Sequence, residues 1–413
     1  MADTGSTIQK RALITGSVGQ DGCYLAEQLT AKGYAVYGTI RRGAVRDFNL
    51  KYIPDTVTLL DCDVTDLGSC VAAVAASQPD EVYHLAAQSH VGRSFKEAAA
   101  TANATGLGTL NMLEAVRIVR KDAAFYFAST SELFGGVSGE PCNEQTRFAP
   151  RSPYAIAKLY AHHMAQLYRT AYGMRVSCGI LFNHESPRRG EEFVTRKITL
   201  GIRRVLSGEA KCLTLGNLDA KRDWGFAGDY TDAMWRMLQQ PEPSDFVIGT
   251  GETHTIAEFL EACLDELGLD GASIPVKQDP ALLRPAEVNV LIADSAKAKR
   301  ELGWEPTVRF RELVGMMVRA DCGTFATGKP SGHRAPVQGD RWEKRDGTIP
   351  WSVHLQAWKG YDAAGHGDQS AERIAERGGF SYREVQCAML GHYNDCSPHH
   401  NDAHPPIPGW APR

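Results

Sequence analysis

Two residues four positions apart, in Tyr154-Ala-Ile-Ala-Lys158, offer a phenol and an ammonium to each other. Ser152 as a cap and Pro153 as the first helical residue predict a helix beginning there, which sets both side chains one turn apart on the same face. A cation beside a phenol lowers its pKa from about 10, so Tyr154 becomes a usable acid or base near neutral pH. The spacing alone would suit an ordinary surface pair equally well. A second group, Ala128-Ser-Thr130-Ser-Glu132-Leu-Phe-Gly135, places hydroxyls and a carboxylate directly after an apolar run. That is the carboxyl edge of a predicted strand, where open α/β sheets bind ligands. Taken singly, Thr130 reads as well as a strand-end cap and Glu132 as a solvated loop acid.

Gly16-Ser17-Val18-Gly19-Gln20-Asp21-Gly22 follows the first predicted strand and opens a helix. Small residues there let the backbone turn tightly and approach a pyrophosphate held at the helix N-terminus. A dinucleotide cofactor is therefore expected, and its positive ring would lower the Tyr154 pKa further. At the end of the second strand, where an acid would meet the ribose of NAD, the chain offers Arg41-Arg42, which suits the 2′-phosphate of NADP. Two arginines on a loop are otherwise a solvated face. Asp63, with Val64 beside it, follows the third strand and is a candidate for the adenine end, though an Asp in that place is also ordinary turn chemistry. The occurrence of all these groups in order along one chain makes chance a poor explanation.

The elements that must position them read clearly. Apolar runs at Ala12-Leu13-Ile14, Ala35-Val36-Tyr37, 57–60, 82–85 and 125–128 alternate with helical patterns such as 24–32, the rhythm of a parallel sheet. Runs at 176–182 and 246–248 extend it into a doubly wound Rossmann-type α/β fold, and a helix over 255–268 belongs to a smaller substrate lobe. The expected organisation is one unit over 1–321, with the cofactor core mostly 10–182 and the substrate lobe mostly 183–321, and an appended extension over 322–413. That tail is rich in Gly, Pro, His and Trp; 370–378 and 382–390 are its candidate helices. Cys387, His392, Cys396, His399, His400 and His404 are zinc-ligand types, but their spacing matches no standard zinc module, and no metal is expected. Composition is that of an ordinary globular protein, with 43% hydrophobic and 23% charged residues. A formal net charge of −4 gives no basic excess for a nucleic-acid backbone. No apolar leader, membrane-length run or paired cysteine spacing is read, so a cytoplasmic protein with reduced thiols is expected.

The glycine loop, Leu85-Ala86-Ala87-Gln88-Ser89-His90-Val91, the Ser-Thr-Ser-Glu stretch and Tyr154/Lys158 together resemble the extended short-chain dehydrogenases/reductases. Two longer strings narrow the resemblance to the GDP-mannose 4,6-dehydratase family: Leu181-Phe-Asn-His-Glu-Ser-Pro-Arg-Arg-Gly190, continuing through Phe193-Val-Thr-Arg-Lys197, and Leu215-Gly-Asn-Leu-Asp-Ala-Lys-Arg-Asp-Trp-Gly225. Arg284-Pro-Ala-Glu287-Val and Leu302-Gly-Trp-Glu-Pro306 fit as well. The resemblance implies Thr130, Glu132 and Tyr154 as catalytic residues with Lys158 in support. It implies that Leu85, Ala86, Ala87, Ser89, His184 and Arg189 meet the cofactor. Asn183, Lys197, Arg222 and Arg284 would meet a GDP-sugar, with Glu287 on its ribose, whereas Arg188 and Arg196 are expected to form surface salt bridges. GDP-mannose is the favoured sugar; another GDP-hexose or a GDP-heptose would use the same groups. The chain departs from the family at Gly43-Ala44-Val45, where a serine-rich loop serves tetramers, and at Ala100 and Thr105, where the family has a tyrosine and an aspartate. A homodimer through helices including that of Tyr154 is expected at least, a homotetramer beyond it. A 4-epimerase or ketoreductase would share everything but the need for a base at Glu132, and a non-catalytic NADP-binding regulatory protein would need none of the four.

Overall fold

The computed structural model describes residues 9–41, 48–137, 139–282, 285–286, 288 and 290–323. Arg42, the Gly43-Ala44-Val45 departure, Arg284, Glu287, and the tail with its candidate helices and Cys/His cluster therefore lie outside the described residues.

Seven parallel strands form one sheet. The first six are β1 (Arg11–Thr15), β2 (Ala35–Ile40), β3 (Thr58–Asp61), β4 (Glu81–His84), β5 (Ala124–Ala128) and β6 (Val176–Leu181), and the seventh is Asp245–Ile248. Their spatial order is β3-β2-β1-β4-β5-β6 followed by Asp245–Ile248, so the chain reverses its direction of travel between β1 and β4. That reversal opens a crevice at the carboxyl ends of the strands, the usual ligand site of a doubly wound sheet. All seven apolar runs read from the sequence are strands here.

Alternation along each strand feeds two cores, because successive side chains point to opposite faces. Leu13, Val82, Phe125, Phe127 and Val176 pack under Val74, Met112, Val116, Ala161 and Ala165 of the helices Leu67–Ser77, Gly108–Val119 and Pro153–Tyr172. Ala12, Ile14, Tyr83 and Tyr126 pack instead under Leu25, Leu29, Tyr230 and Met234 of the helices Gln20–Ala31 and Ala227–Leu238. With both faces covered, β4 and β5 are buried along their whole length.

A further core joins Ile198, Trp224, Phe259, Phe310 and Leu313. Its helix Ile256–Leu267 starts and stops where the sequence predicts. Thr255 and Glu258 form a reciprocal capping box, and Gly268 takes the left-handed φ of +67° that ends the helix. Two boundaries differ from the sequence reading. The first helix begins at Gln20, because the glycine loop itself supplies its cap, and Phe182 falls just past β6. Among the described residues no helix is long and apolar enough to cross a membrane.

Candidate active site

Thr130 and Glu132 stand on a short turn at the end of β5. The Thr130 hydroxyl caps that turn by accepting the Glu132 N–H at 3.2 Å. Opposite, the helix Pro153–Tyr172 begins as its sequence requires, with the Ser152 hydroxyl accepting the Ala155 N–H at 3.1 Å and Pro153 in the first turn. Thr130, Glu132, Tyr154 and Lys158 are all buried. The Thr130 side chain and the Glu132 charge both lie near enough to act on the Tyr154 phenol.

The electrostatics differ from the sequence expectation that Lys158 lowers the Tyr154 pKa. Burial pushes the Tyr154 hydroxyl up to about 12, against the opposing influence of Thr130. Burial also lowers Lys158 to about 7, and its Nζ donates to the Ala128 carbonyl at 2.5 Å. Desolvation thus dominates both groups in the protein alone. A pair in this state is responsive: any charge brought beside it meets little screening.

The glycine loop turns as tightly as its sequence suggests. Gly16 has φ +70°, and a Cβ there would lie 3.0 Å from the Ala86 backbone. A Cβ on Gly22 would lie 2.5 Å from the carbonyl oxygens of Gly16 and Ser17. Gly19 caps the helix with no side-chain bond, leaving its N-terminal dipole for an anion. Ser17 donates to the Thr39 carbonyl at 3.0 Å, and Val18 is buried. Across the crevice, the N–H groups of Leu85 and Ala86 both bond to the Thr15 hydroxyl at 3.2 Å. That hydroxyl lies 2.8 Å from His84 Nδ1, whose ring reaches Thr109 at 3.2 Å. Burial lowers His84 to about 3, so this relay is neutral. Ala87 is partly buried and Ser89 faces solvent.

Gln20 and Asp21 do not simply line the loop. Gln20 reaches over to the His184 carbonyl at 3.1 Å and accepts the Ser186 hydroxyl at 2.8 Å. Asp21 pairs with His184 Nε2 at 2.8 Å, while His184 Nδ1 lies 2.8 Å from the Phe182 carbonyl. Both ring nitrogens therefore face acceptors, which only an imidazolium satisfies. Burial opposes each charge, but the partner outweighs it: Asp21 is held below and His184 above its ordinary value. Arg189 pairs with Glu185 at 3.1 Å and lies near enough to act on Tyr154.

Asp63, expected at the adenine end, accepts both the N–H and hydroxyl of Thr65, and these bonds, with Arg41 nearby, lower its pKa. Val64 is buried and its carbonyl takes the Asn111 amide at 2.9 Å. Arg41 is exposed.

Of the residues expected to meet a substrate, Asn183 lies on a short strand paired with Trp224–Phe226, and Arg222 is buried on a strand paired with His254–Thr255 and Val290–Leu291. The next residue, Asp223, accepts four bonds, from the Thr250 N–H and hydroxyl, Gly251 N–H and Ala293 N–H, and so fixes the backbone that carries Arg222. Lys197 is half-buried on the helix Val194–Leu206.

Arg188 and Arg196 are paired, as expected, but they are not on the surface. Arg188 lies over the Tyr24 and Tyr52 rings at 4.1 and 4.2 Å and pairs with Glu27 at 2.8 Å. Arg196 is buried against Asp321 at 2.7 Å. Aromatic neighbours and tertiary acids far along the chain make these sites, and no local pattern announces them. Sequence reasoning also passed over His84, His162 and Asp223, each a single polar residue inside an otherwise ordinary element.

A doubly wound sheet with a glycine loop at its switch point and this Tyr/Lys/Thr/Glu group across the crevice defines a nucleotide-sugar epimerase or dehydratase of the extended short-chain dehydrogenase/reductase type. A family model described as GDP-mannose 4,6 dehydratase matches residues 13–317. The GDP-mannose 4,6 dehydratase of Drosophila melanogaster is 47% identical over 346 residues, 77% of this chain and 87% of that one. GDP-mannose 4,6 dehydratase 2 of Arabidopsis thaliana is 49% identical, covering 76% of this chain and 87% of that one. Among solved structures, the UDP-glucose 4-epimerase of Thermus thermophilus, in complex with NAD, is 28% identical with a TM-score of 0.68 over 76% of this chain and 99% of that one. The chain belongs to the GDP-mannose 4,6-dehydratase family, hydro-lyases of nucleotide-sugar metabolism.

Proposed function

We propose that this chain converts GDP-mannose, or a closely related GDP-sugar, to the 4-keto-6-deoxy product, with NADP as its resident cofactor. The observation that carries the reading is the buried carboxylate of Glu132 close to the equally buried hydroxyls of Thr130 and Tyr154. A 4-epimerase needs no base there, whereas dehydration needs one for the C5 proton.

The residues present fit a dinucleotide: the loop over Gly16–Gly22 leaves no room for a Cβ at either end, and the helix behind it has no side-chain cap. Arg41 supports the 2′-phosphate of NADP. When bound, the cofactor supplies the acceptor and donor of the hydride that leaves sugar C4 and returns to C6. Tyr154 takes the proton from the C4 hydroxyl as that carbon is oxidised to a ketone. The ketone acidifies the C5 proton, which Glu132 removes and passes to the departing C6 hydroxyl so that it leaves as water; the proton held by Tyr154 then goes to C5 as the hydride reaches C6. Thr130 hydrogen-bonds the sugar and orients it. Arg222, with Arg284, clamps the diphosphate through fixed forks of donors.

Assembly as a homodimer or homotetramer is supported by the outer faces of two helices, where Ile118 and Ile156 are 57% and 58% exposed and Leu167, about three turns further along the second helix, is exposed as well. Ile156→Asp is expected to yield monomers by light scattering; an unchanged mass would move the interface elsewhere. The scattered thiols, none in a disulfide among the described residues, support a reducing, cytoplasmic setting.

The test is a mass-resolved assay with GDP-mannose and no added reductant. Loss of one water in the wild type, abolished in Glu132→Gln, supports the cycle. Unchanged mass with cofactor still bound would point to another sugar or to epimerisation. Cofactor released on denaturation identifies NADP or NAD directly.

A further inference from the structure

Behind the turn that carries Thr130 and Glu132 lies an array that the proposed chemistry does not use: the buried Ser129 and His162 and the half-buried Asp245. His162 stands one turn beyond Lys158 on the same helix and is fully buried. Its Nδ1 lies 3.1 Å from the Ser129 hydroxyl, and its Nε2 lies 3.7 Å from an Asp245 carboxylate oxygen. The ring meets the edge of Phe148 with centroids 5.1 Å apart. Asp245, the first residue of the seventh strand, is itself held by Arg169 and, at 2.8 Å, by Gln166, both on the His162 helix. Ser129 immediately precedes Thr130, and its N–H continues the sheet ladder by bonding the Gly179 carbonyl at 2.8 Å.

The partners fix the protons. Burial lowers the His162 pKa to about 4, so the ring is neutral near pH 7 and carries one N–H. Were that proton on Nδ1, the Nε2 lone pair would face the Asp245 carboxylate. The favourable arrangement puts the proton on Nε2, toward Asp245, and leaves Nδ1 to accept from the Ser129 hydroxyl. A purely apolar ring would fill the slot beside Phe148 equally well but would strand the buried hydroxyl of Ser129.

We propose that His162 is a positioning residue for the acid/base turn: through Ser129 it ties the backbone bearing Thr130 and Glu132 to the helix bearing Tyr154. The inference rests on the reading of Thr130, Glu132 and Tyr154 as the reacting groups. It follows that loosening the tie displaces the base relative to the phenol without touching the surfaces that hold nucleotide or cofactor. Small displacements of reacting groups cost rate more than affinity.

The experiment uses the full chain with its cofactor bound and GDP-mannose as substrate. It compares His162→Phe, Ser129→Ala, their double variant and His162→Gln, with Glu132→Gln in parallel. Expected is a fall in kcat of about tenfold in each single variant, with KM and cofactor affinity within about twofold. The double variant should be no slower than the slower single one, because both cut the same tie. His162→Gln, whose amide oxygen can accept from Ser129, should recover most of the rate. The inference is overturned if kcat stays near the wild-type value in Ser129→Ala, if the two losses multiply, or if KM and cofactor affinity deteriorate along with kcat. Ser129→Ala removes a single oxygen and keeps the test open should His162→Phe fold poorly. An active Glu132→Gln would overturn the site reading and this inference together; an inactive Glu132→Gln with unaffected Ser129→Ala would overturn this inference alone.

Discussion

The two walls of the crevice are held together by different physics. On the glycine-loop wall neutral bonds such as Ser186 with Gln20 are joined by ion pairs: Asp21 with His184, Glu185 with Arg189, Glu27 with Arg188. On the wall formed by β5 and the Pro153–Tyr172 helix neutral hydrogen bonds hold the turn, the Glu132 N–H to the Thr130 hydroxyl and Ser129 with His162, and the titratable groups Tyr154, Lys158 and His162 are shifted toward their neutral forms by burial. The first arrangement suits a wall that must receive a permanently charged diphosphate. The second suits groups that exchange protons, because a residue kept from its charged form by desolvation responds strongly to each charge that arrives.

If this division is real, substitutions on the two walls should fail in different parameters. The largest effect is expected on the neutral wall: Glu132→Gln should lower kcat by about 10³-fold or more, in the range of a lost general base, with cofactor affinity unchanged. Weakened cofactor binding in that variant would break the comparison, since Glu132 would then belong to both walls. Next in size is Gly22→Ala. The added Cβ would sit 2.5 Å from two backbone oxygens, so the loop must move, and cofactor affinity should fall by about 10- to 100-fold, a cost of roughly 1 to 3 kcal/mol. The rate at saturating cofactor should change far less. Fluorescence titration of cofactor-stripped protein measures the first quantity, and progress curves at high cofactor measure the second.

Which wall the sequence describes better follows from the same division. Tyr154, Lys158, Thr130 and Glu132 lie at fixed offsets within single elements, and the loop from Gly16 to Gly22 is likewise local, so spacing and chain order raised them as candidates and the family resemblance assigned the roles. The seven apolar runs became the seven strands because strands covered on both faces are written as short continuous apolar runs. What the sequence could not show are partners separated by long stretches of chain. Asp21 and His184 are 163 residues apart, and Asp245 reaches His162 only because the last strand of the sheet lies beside β6. The misjudged arginines have the same cause. Nothing near Arg188 in sequence foretells the rings of Tyr24 and Tyr52. The Tyr154 pKa was misread for another reason: its neighbours are legible in sequence, its desolvation is not.

The smallest predicted effect separates the walls by the sign of their response to acid. His84 and His162 are held below the ordinary histidine value of 6.5, at about 3 and about 4, by burial. Their unfolded forms take up a proton first as pH falls below 6.5, so each lowers stability there, by about 1.4 kcal/mol per pH unit at the limiting slope. His184 behaves oppositely. Its folded value is raised, so its contribution is complete below 6.5 and is lost as pH rises through the folded value. Asp21, whose folded value is depressed, keeps its contribution until pH falls through that value. Between pH 6.5 and 5.5 two groups therefore destabilise while one pair holds, and urea midpoints should fall on acidification over this range. His162→Phe should flatten that dependence, because one of the opposing protonations is gone. Asp21→Asn should steepen it, because a His184 without its counter-ion joins the buried neutral histidines. Equal slopes in the wild type and both variants would mean that the charge states of the two walls do not differ in the way their contacts imply.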